Sequence, residues 1–311
     1  MRILINIQRY NPEEKRPTYL QEFRVEVKSG MTILDVLMKI KNDIDGSLTF
    51  RASCRSAICG SCAMNINGHE KLACKTQIKD ELKRHGSITV RPLTNLEIIK
   101  DLTVDMEPFW KKIKEITPWL IPLPDCRDIW MGENSDKDFN NVDACIMCSA
   151  CLSACTAFDV SRGFIGPAGL AKAYRFITDP RDSAKDKRVE NLRNKDGIFD
   201  CARCYFCWEV CPKDVRPVEA IIRTRRLAIK QGLTDTPGAR HITAFIDSVK
   251  KEGLLNETMM PIRMIGLDIN KVFSMIPLGI KMFFKGKMPL PFKRPIKGIK
   301  EIRNIFKARG F

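Results

Sequence analysis

Eight of the thirteen cysteines stand in two runs, Cys145-Cys148-Cys151-Cys155 and Cys201-Cys204-Cys207-Cys211, each spaced x2-x2-x3, the second followed by Pro212. This pattern constrains the chain more than any hydrophobic periodicity does, because it specifies which side chains must meet in space. In two-cluster ferredoxins the fourth cysteine of each such run ligates the other cluster. One set is then Cys145, Cys148, Cys151 and Cys211 around a [4Fe–4S] cluster. The other is Cys155, Cys201 and Cys207, joined by Cys204 if it takes part. Crossed ligation ties the runs together and predicts a domain that needs its metals to fold. A pair of four-cysteine zinc sites is the alternative, and the doubled spacing argues for iron–sulfur.

A third cysteine pattern lies upstream. Cys54-x4-Cys59-x2-Cys62, with Cys74 beyond, is the spacing of a plant-type [2Fe–2S] site, where soft thiolates hold ferric iron and bridging sulfide. Gly60 and the small residues Ser53, Ser56, Ala57, Ser61 and Ala63 are expected to let backbone N–H groups reach the sulfurs. Around this loop, Ile3, Ile5 and Ile7 alternate as one strand face, and Phe23, Val25 and Val27 as another. Asn11-Pro12 marks a turn between them. Thr32 and Asp35 predict a capping box, followed by a helix with Ile33, Val36, Leu37 and Ile40 on one face. "SITV" is a closing strand. Two strands, a helix, a Cys loop and a final strand predict a small β-grasp domain. His69 falls outside the ligand spacing and is read as a surface turn residue. Cys126 falls outside every spacing and is read as a free thiol.

Residues 92–125 contain five prolines and are read as a boundary. Beyond it, Pro167 and Pro217 open helical patterns that stop before Pro180 and at Gly232. The predicted fold class is α+β. An N-terminal β-grasp plant-type ferredoxin domain (1–105) precedes an all-α bacterial-ferredoxin-like two-cluster domain (106–235) and a basic extension (236–311).

The cysteine content with no apolar leader at the N-terminus points to redox or metal chemistry in the cytoplasm rather than disulfides. No apolar run reaches the roughly 18 residues of a membrane span. Net charge is +16, and residues 271–311 carry eleven Lys and Arg against Glu301 alone, a local charge of +10. Without aromatic interleaving or a recognised binding motif, this charge is not read as a nucleic-acid site; an anionic membrane surface or an acidic partner suits it.

The stretches "SCRSAICGSCAMNINGHEKLACKT", "IIKDLTVDM", "CIMCSAC", "FIGPAGLAKAYRFITDPRD" and "CWEVCPKDV" resemble, in the same order, the iron–sulfur subunit of succinate dehydrogenase and fumarate reductase. The resemblance covers about residues 1–235. It implies an electron relay: a [2Fe–2S] cluster near a flavoprotein subunit that carries the FAD, a middle [4Fe–4S] cluster, and a third cluster at the exit. It implies no catalytic acid, base or nucleophile in this chain.

Departures from the family pattern are concentrated at the third cluster. The position of Cys204 is usually not cysteine there, and the third cluster is usually [3Fe–4S]. A fourth thiolate predicts a second [4Fe–4S] cluster of lower potential, held by Cys155, Cys201, Cys204 and Cys207, with [3Fe–4S] the alternative. Thr156, Val160 and Ala202 stand where the family has proline, tryptophan and histidine, which removes the groups expected to hold a quinone headgroup. The segment from Pro277 to Phe311 resembles heterodisulfide reductase C-type subunits, which implies a CCG-domain partner (heterodisulfide reductase B-like), with a membrane anchor the alternative.

Ile296, Ile299, Ile302, Ile305 and Phe306 also share a face of a basic amphipathic helix that could lie on an anionic membrane, placing the chain peripherally on the cytoplasmic side. Two other readings stand beside the main one. In the first, a heterodisulfide-reductase-like C-type module is joined to a [2Fe–2S] ferredoxin and served by a different flavin partner. In the second, the chain is a free-standing electron carrier.

Overall fold

The computed structural model describes residues 1–14, 16–124, 129, 139, 141–194, 196–266, 269–287 and 294–308; Cys126 lies outside them. The chain divides into two compact units, residues 1–224 and 225–311.

The first unit begins with β1 (Arg2–Arg9) and β2 (Tyr19–Glu26), then α1 (Ile33–Asp43), β3 (Ala63–Ile66), β4 (His69–Leu72), α2 (Ile78–His85) and β5 (Ile88–Arg91). These strands form one sheet in the order β2-β1-β5-β3-β4. β1 runs parallel to β5, and the other pairs are antiparallel. Alternation explains the register: Ile3, Ile5 and Ile7 are buried and face Val25, Phe23, Ile88 and Val90 across the ladders. Each such side chain contributes roughly 1.5–3 kcal/mol on burial. The helix α1 covers this face with Ile33, Val36, Leu37 and Ile40, and its capping box closes as predicted, with the Thr32 amide donating to Asp35 at 2.8 Å.

The β3–β4 hairpin carries no signal in the sequence, its strands being only four residues each between Cys62 and Cys74. His69 is therefore a correction. The turn is Asn67-Gly68, and His69 is the exposed first residue of β4.

The proline-bearing stretch is packed. It contributes a hairpin, β6 (Ile98–Lys100) with β7 (Thr103–Val104), and the helix α3 (Glu107–Glu115), which buries Phe109 and Ile113. Arg9 fastens the hairpin to the sheet, donating to Asp101 at 3.0 Å and to Asp45 at 2.6 Å.

Short helices follow: α4 (Ala150–Ser153), α5 (Thr156–Val160), α6 (Pro167–Ile177), α7 (Lys185–Leu192), α8 (Phe206–Glu209) and α9 (Pro217–Lys230). Proline opens α6, where its missing N–H costs nothing. Buried Arg188 on α7 pairs with Asp182 at 2.9 Å and donates to the carbonyls of Ile116, Thr117 and Trp119, clamping the chain after α3. The packing around Phe139, Val142, Ala171, Tyr174 and Val215 supports Cys145 and Cys211.

The second unit holds α10 (Pro237–Glu252), α11 (Met259–Ile265), α12 (Ile269–Phe284) and α13 (Ile299–Ala308). Here the structure revises the amphipathic-helix expectation. The face of α13 carrying Ile302 turns toward the end of α10, where Ile296 donates to the Glu252 carbonyl at 3.0 Å and Arg303 to the Lys250 carbonyl at 3.3 Å. Ile305 stays exposed. The freely presented apolar helix is instead α12, with Phe273 64%, Phe283 67% and Phe284 83% exposed. Among the described residues no helix is long and apolar enough to cross a membrane.

Candidate metal centres

The loop between α1 and β3 turns its amides inward. Arg55 and Ala57 take φ 56° and Gly60 φ 73°, and these left-handed residues bend the backbone around the sulfurs. The Cys54 sulfur accepts from the amides of Ser56 (3.4 Å), Ile58 (3.4 Å) and Cys59 (3.3 Å). The amide of Ala57 donates to Cys74 at 3.3 Å and that of Cys54 to Cys59 at 3.5 Å. Of the small residues anticipated, Ser56, Ala57 and Ser61 donate to sulfur, the Ala63 amide goes instead to the Gly60 carbonyl at 3.1 Å, and Ile58 is an unforeseen donor. The Ser61 hydroxyl, with the Cys54 and Ser61 amides, lowers the Cys59 thiol to about 6, whereas burial pushes Cys62 up to about 12. Donors aimed at sulfur are the environment an anionic [2Fe–2S] cluster requires.

Cys145, Cys148, Cys151 and Cys211 line one pocket together with Ser149 and Ala168. Burial raises the thiols of Cys145 and Cys151 and pushes Cys148 up to about 11. Each of these three also feels Cys211, the last cysteine of the second run, and Cys151 feels Cys207 as well. Buried thiolates crowded this way persist only with positive charge between them. The Ser149 hydroxyl is buried in this wall without a hydrogen-bond partner among the described residues, a donor left for something the cavity holds. Four soft donors and an orphaned hydroxyl fit a [4Fe–4S] cluster.

The second run repeats the backbone of the first. Met147 and Ser149 have φ 54° and 65°, and Arg203 and Tyr205 have φ 56° and 69°. Cys204 therefore holds in its loop the place that Cys148 holds in its own. Burial pushes Cys207 up to about 12 and raises Cys155; both also feel Cys201 and Cys204. Cys201 and Cys204 thus act on Cys155 and Cys207, while Cys207 also acts on Cys151 of the first run. The Thr156 hydroxyl donates to the Cys204 sulfur at 3.5 Å, a contact with no motif to announce it. Ala202 through Phe206 are exposed, as is Val160, so this site opens onto the surface.

Ser153, between Cys151 and Cys155, stitches the cysteine run to the sheet. Its hydroxyl donates to buried Glu70 at 2.9 Å and accepts from the Thr94 amide at 2.8 Å, while Asn95 donates to its carbonyl at 2.8 Å. Among the described residues no three His, Cys, Asp or Glu side chains converge tightly enough for a single bare ion.

Two domain families match this arrangement: a 2Fe-2S iron-sulfur cluster binding domain over residues 4–111 and a 4Fe-4S dicluster domain over residues 141–215. Over 232 residues the chain is 36% identical to the mitochondrial succinate dehydrogenase [ubiquinone] iron-sulfur subunit of Dictyostelium discoideum, spanning 71% of this chain and 80% of that protein. It is 35% identical over 232 residues to the fumarate reductase iron-sulfur subunit of Haemophilus influenzae, spanning 70% and 89%. A chain of the Mycobacterium smegmatis Sdh1 complex in the apo form has the same fold, with a TM-score of 0.67 at 24% identity over 74% of this chain and 96% of that one.

Proposed function

Because the chain belongs to the family of succinate dehydrogenase and fumarate reductase iron–sulfur subunits, and so works as an electron-transfer subunit of an oxidoreductase complex, we propose that it relays electrons between an FAD-bearing flavoprotein and a CCG-domain chain. The N-terminal sheet is read as a β-grasp ferredoxin carrying a [2Fe–2S] cluster on Cys54, Cys59, Cys62 and Cys74. The helical part is read as a bacterial-ferredoxin-like module within boundaries at 105 and 235. When bound, the clusters supply sites that take up and release single electrons.

The observation that carries the CCG-linked reading is the position of Cys204. The backbone around it matches that around Cys148, so its thiolate stands ready as the fourth ligand of a second [4Fe–4S] cluster. Thr156, Ala202 and Val160, the last 90% exposed, offer a quinone headgroup neither an aromatic wall nor an imidazole. A fourth iron and the loss of these three groups suit a lower-potential thiol- or cluster-based partner. The extension is read as the docking element, with the exposed apolar face of α12 and its neighbouring lysines as the contact surface.

The test is anaerobic purification of the intact native complex and identification of its subunits by mass spectrometry. A succinate-dehydrogenase-type flavoprotein with a CCG-domain chain is the expected outcome. The same flavoprotein with a membrane anchor would restore the quinone-linked enzyme. Absence of any such flavoprotein would move the chain to the heterodisulfide-reductase-like reading.

A further inference from the structure

Gly60 lies between the ligand candidates Cys59 and Cys62, in the left-handed region at φ 73° and buried. A Cβ built on it would stand 2.7 Å from the Cβ of Cys148, 3.0 Å from the Cα of Cys148 and 3.0 Å from the carbonyl oxygen of Ile146. The obstacles are the backbone and first side-chain carbon of the other loop, which have no flexible end to swing aside. Ile146 and Cys148 also pack on the core of the sheet. The two cysteine loops therefore touch through a residue without a side chain.

We propose that this contact is the electronic junction between the [2Fe–2S] site and the middle site, with Gly60 the positioning residue that brings them to van der Waals distance. The proposal rests on the ligand sets of the preceding reading. Electron tunnelling falls steeply with distance and with each gap through space, so a direct loop-to-loop contact governs the rate. One electron crosses: the donor site is oxidised by one electron, the acceptor site is reduced by one, and no bond or proton changes hands. Any side chain at residue 60 forces the loops apart by several tenths of an ångström.

The same chain contains its own control. Gly86 has φ 71°, and nothing lies within 4 Å of its built Cβ, so Gly86→Ala introduces backbone strain without the clash. The experiment compares the cluster-loaded full chain with Gly60→Ala and Gly86→Ala by iron and sulfide content, EPR of the dithionite-reduced sites, and transfer rate after flash photoreduction. In Gly60→Ala the individual signals persist, the spin–spin splitting between [2Fe–2S] and middle sites weakens, and transfer slows several-fold; Gly86→Ala matches the parent. Parent-like splitting and rate in a fully loaded Gly60→Ala overturn the junction alone. A parent chain lacking either cluster signal overturns the ligand sets and the junction with them. Should Gly60→Ala fail to load, stepwise reduction of the parent decides. Splitting of the [2Fe–2S] signal that appears as the middle site is reduced supports the junction, and splitting that follows the third site refutes it.

Discussion

The Thr156 hydroxyl lies 3.5 Å from the Cys204 sulfur and donates toward it. Both residues stand where the sequence is read as departing from the family pattern, so the two departures meet in one hydrogen bond. The donor would favour an electron-rich thiolate, as hydrogen bonds to cluster ligands generally do.

Substituting Cys204→Ser is expected to cost one iron per chain and to convert the third site to [3Fe–4S]. Oxidised samples should then show a three-iron EPR signal that the parent lacks. If the parent shows that signal at full intensity, Cys204 is a spectator. Thr156→Val should keep the fourth iron and lower the potential of the third site by roughly 20–60 mV, the equivalent of one net hydrogen bond in a one-electron couple.

The Ser61 hydroxyl makes a parallel contribution at the first site, where it is the leading influence on Cys59. Reduction adds negative charge, which a donor stabilises, so Ser61→Ala is expected to lower the [2Fe–2S] potential by a similar roughly 20–60 mV. A redox titration followed by EPR reads this directly, and an unchanged or raised midpoint would contradict the assignment.

Iron removal exposes the same asymmetry chemically. With Cys59 held down to about 6 and Cys62 pushed up to about 12, the stripped chain carries a thiolate at residue 59 and a thiol at residue 62 at neutral pH. Alkylation should label Cys59 first. Its rate should rise as pH climbs through about 6, because the proton leaves there. Equal labelling of both residues at pH 7 would show that the loop does not keep its geometry without metal.

The exposed phenylalanines of α12 supply the test of the extension. Phe273→Glu combined with Phe283→Glu is expected to leave cluster content intact while abolishing co-purification of the third subunit. Retained assembly with lost binding to anionic vesicles would assign the helix to a membrane surface. If neither changes, the extension has no docking role.

Much of this protein follows from its sequence because the decisive constraints are local. A cysteine spacing determines which thiols a loop can present. Period-two alternation places Ile3, Ile5 and Ile7 on one face, and Thr32 with Asp35 closes a helix end within four residues. The β3–β4 hairpin escaped because two four-residue strands inside a ligand loop carry too little periodicity to register. Tertiary structure alone decided the contacts between distant segments. Gly60 meets Cys148, Ser153 bonds Glu70, Thr156 reaches Cys204, and α13 rests on α10 while Phe273, Phe283 and Phe284 of α12 stay exposed. Such pairings depend on where whole elements pack, and backbone proximity between loops leaves no pattern in the spacing of either one.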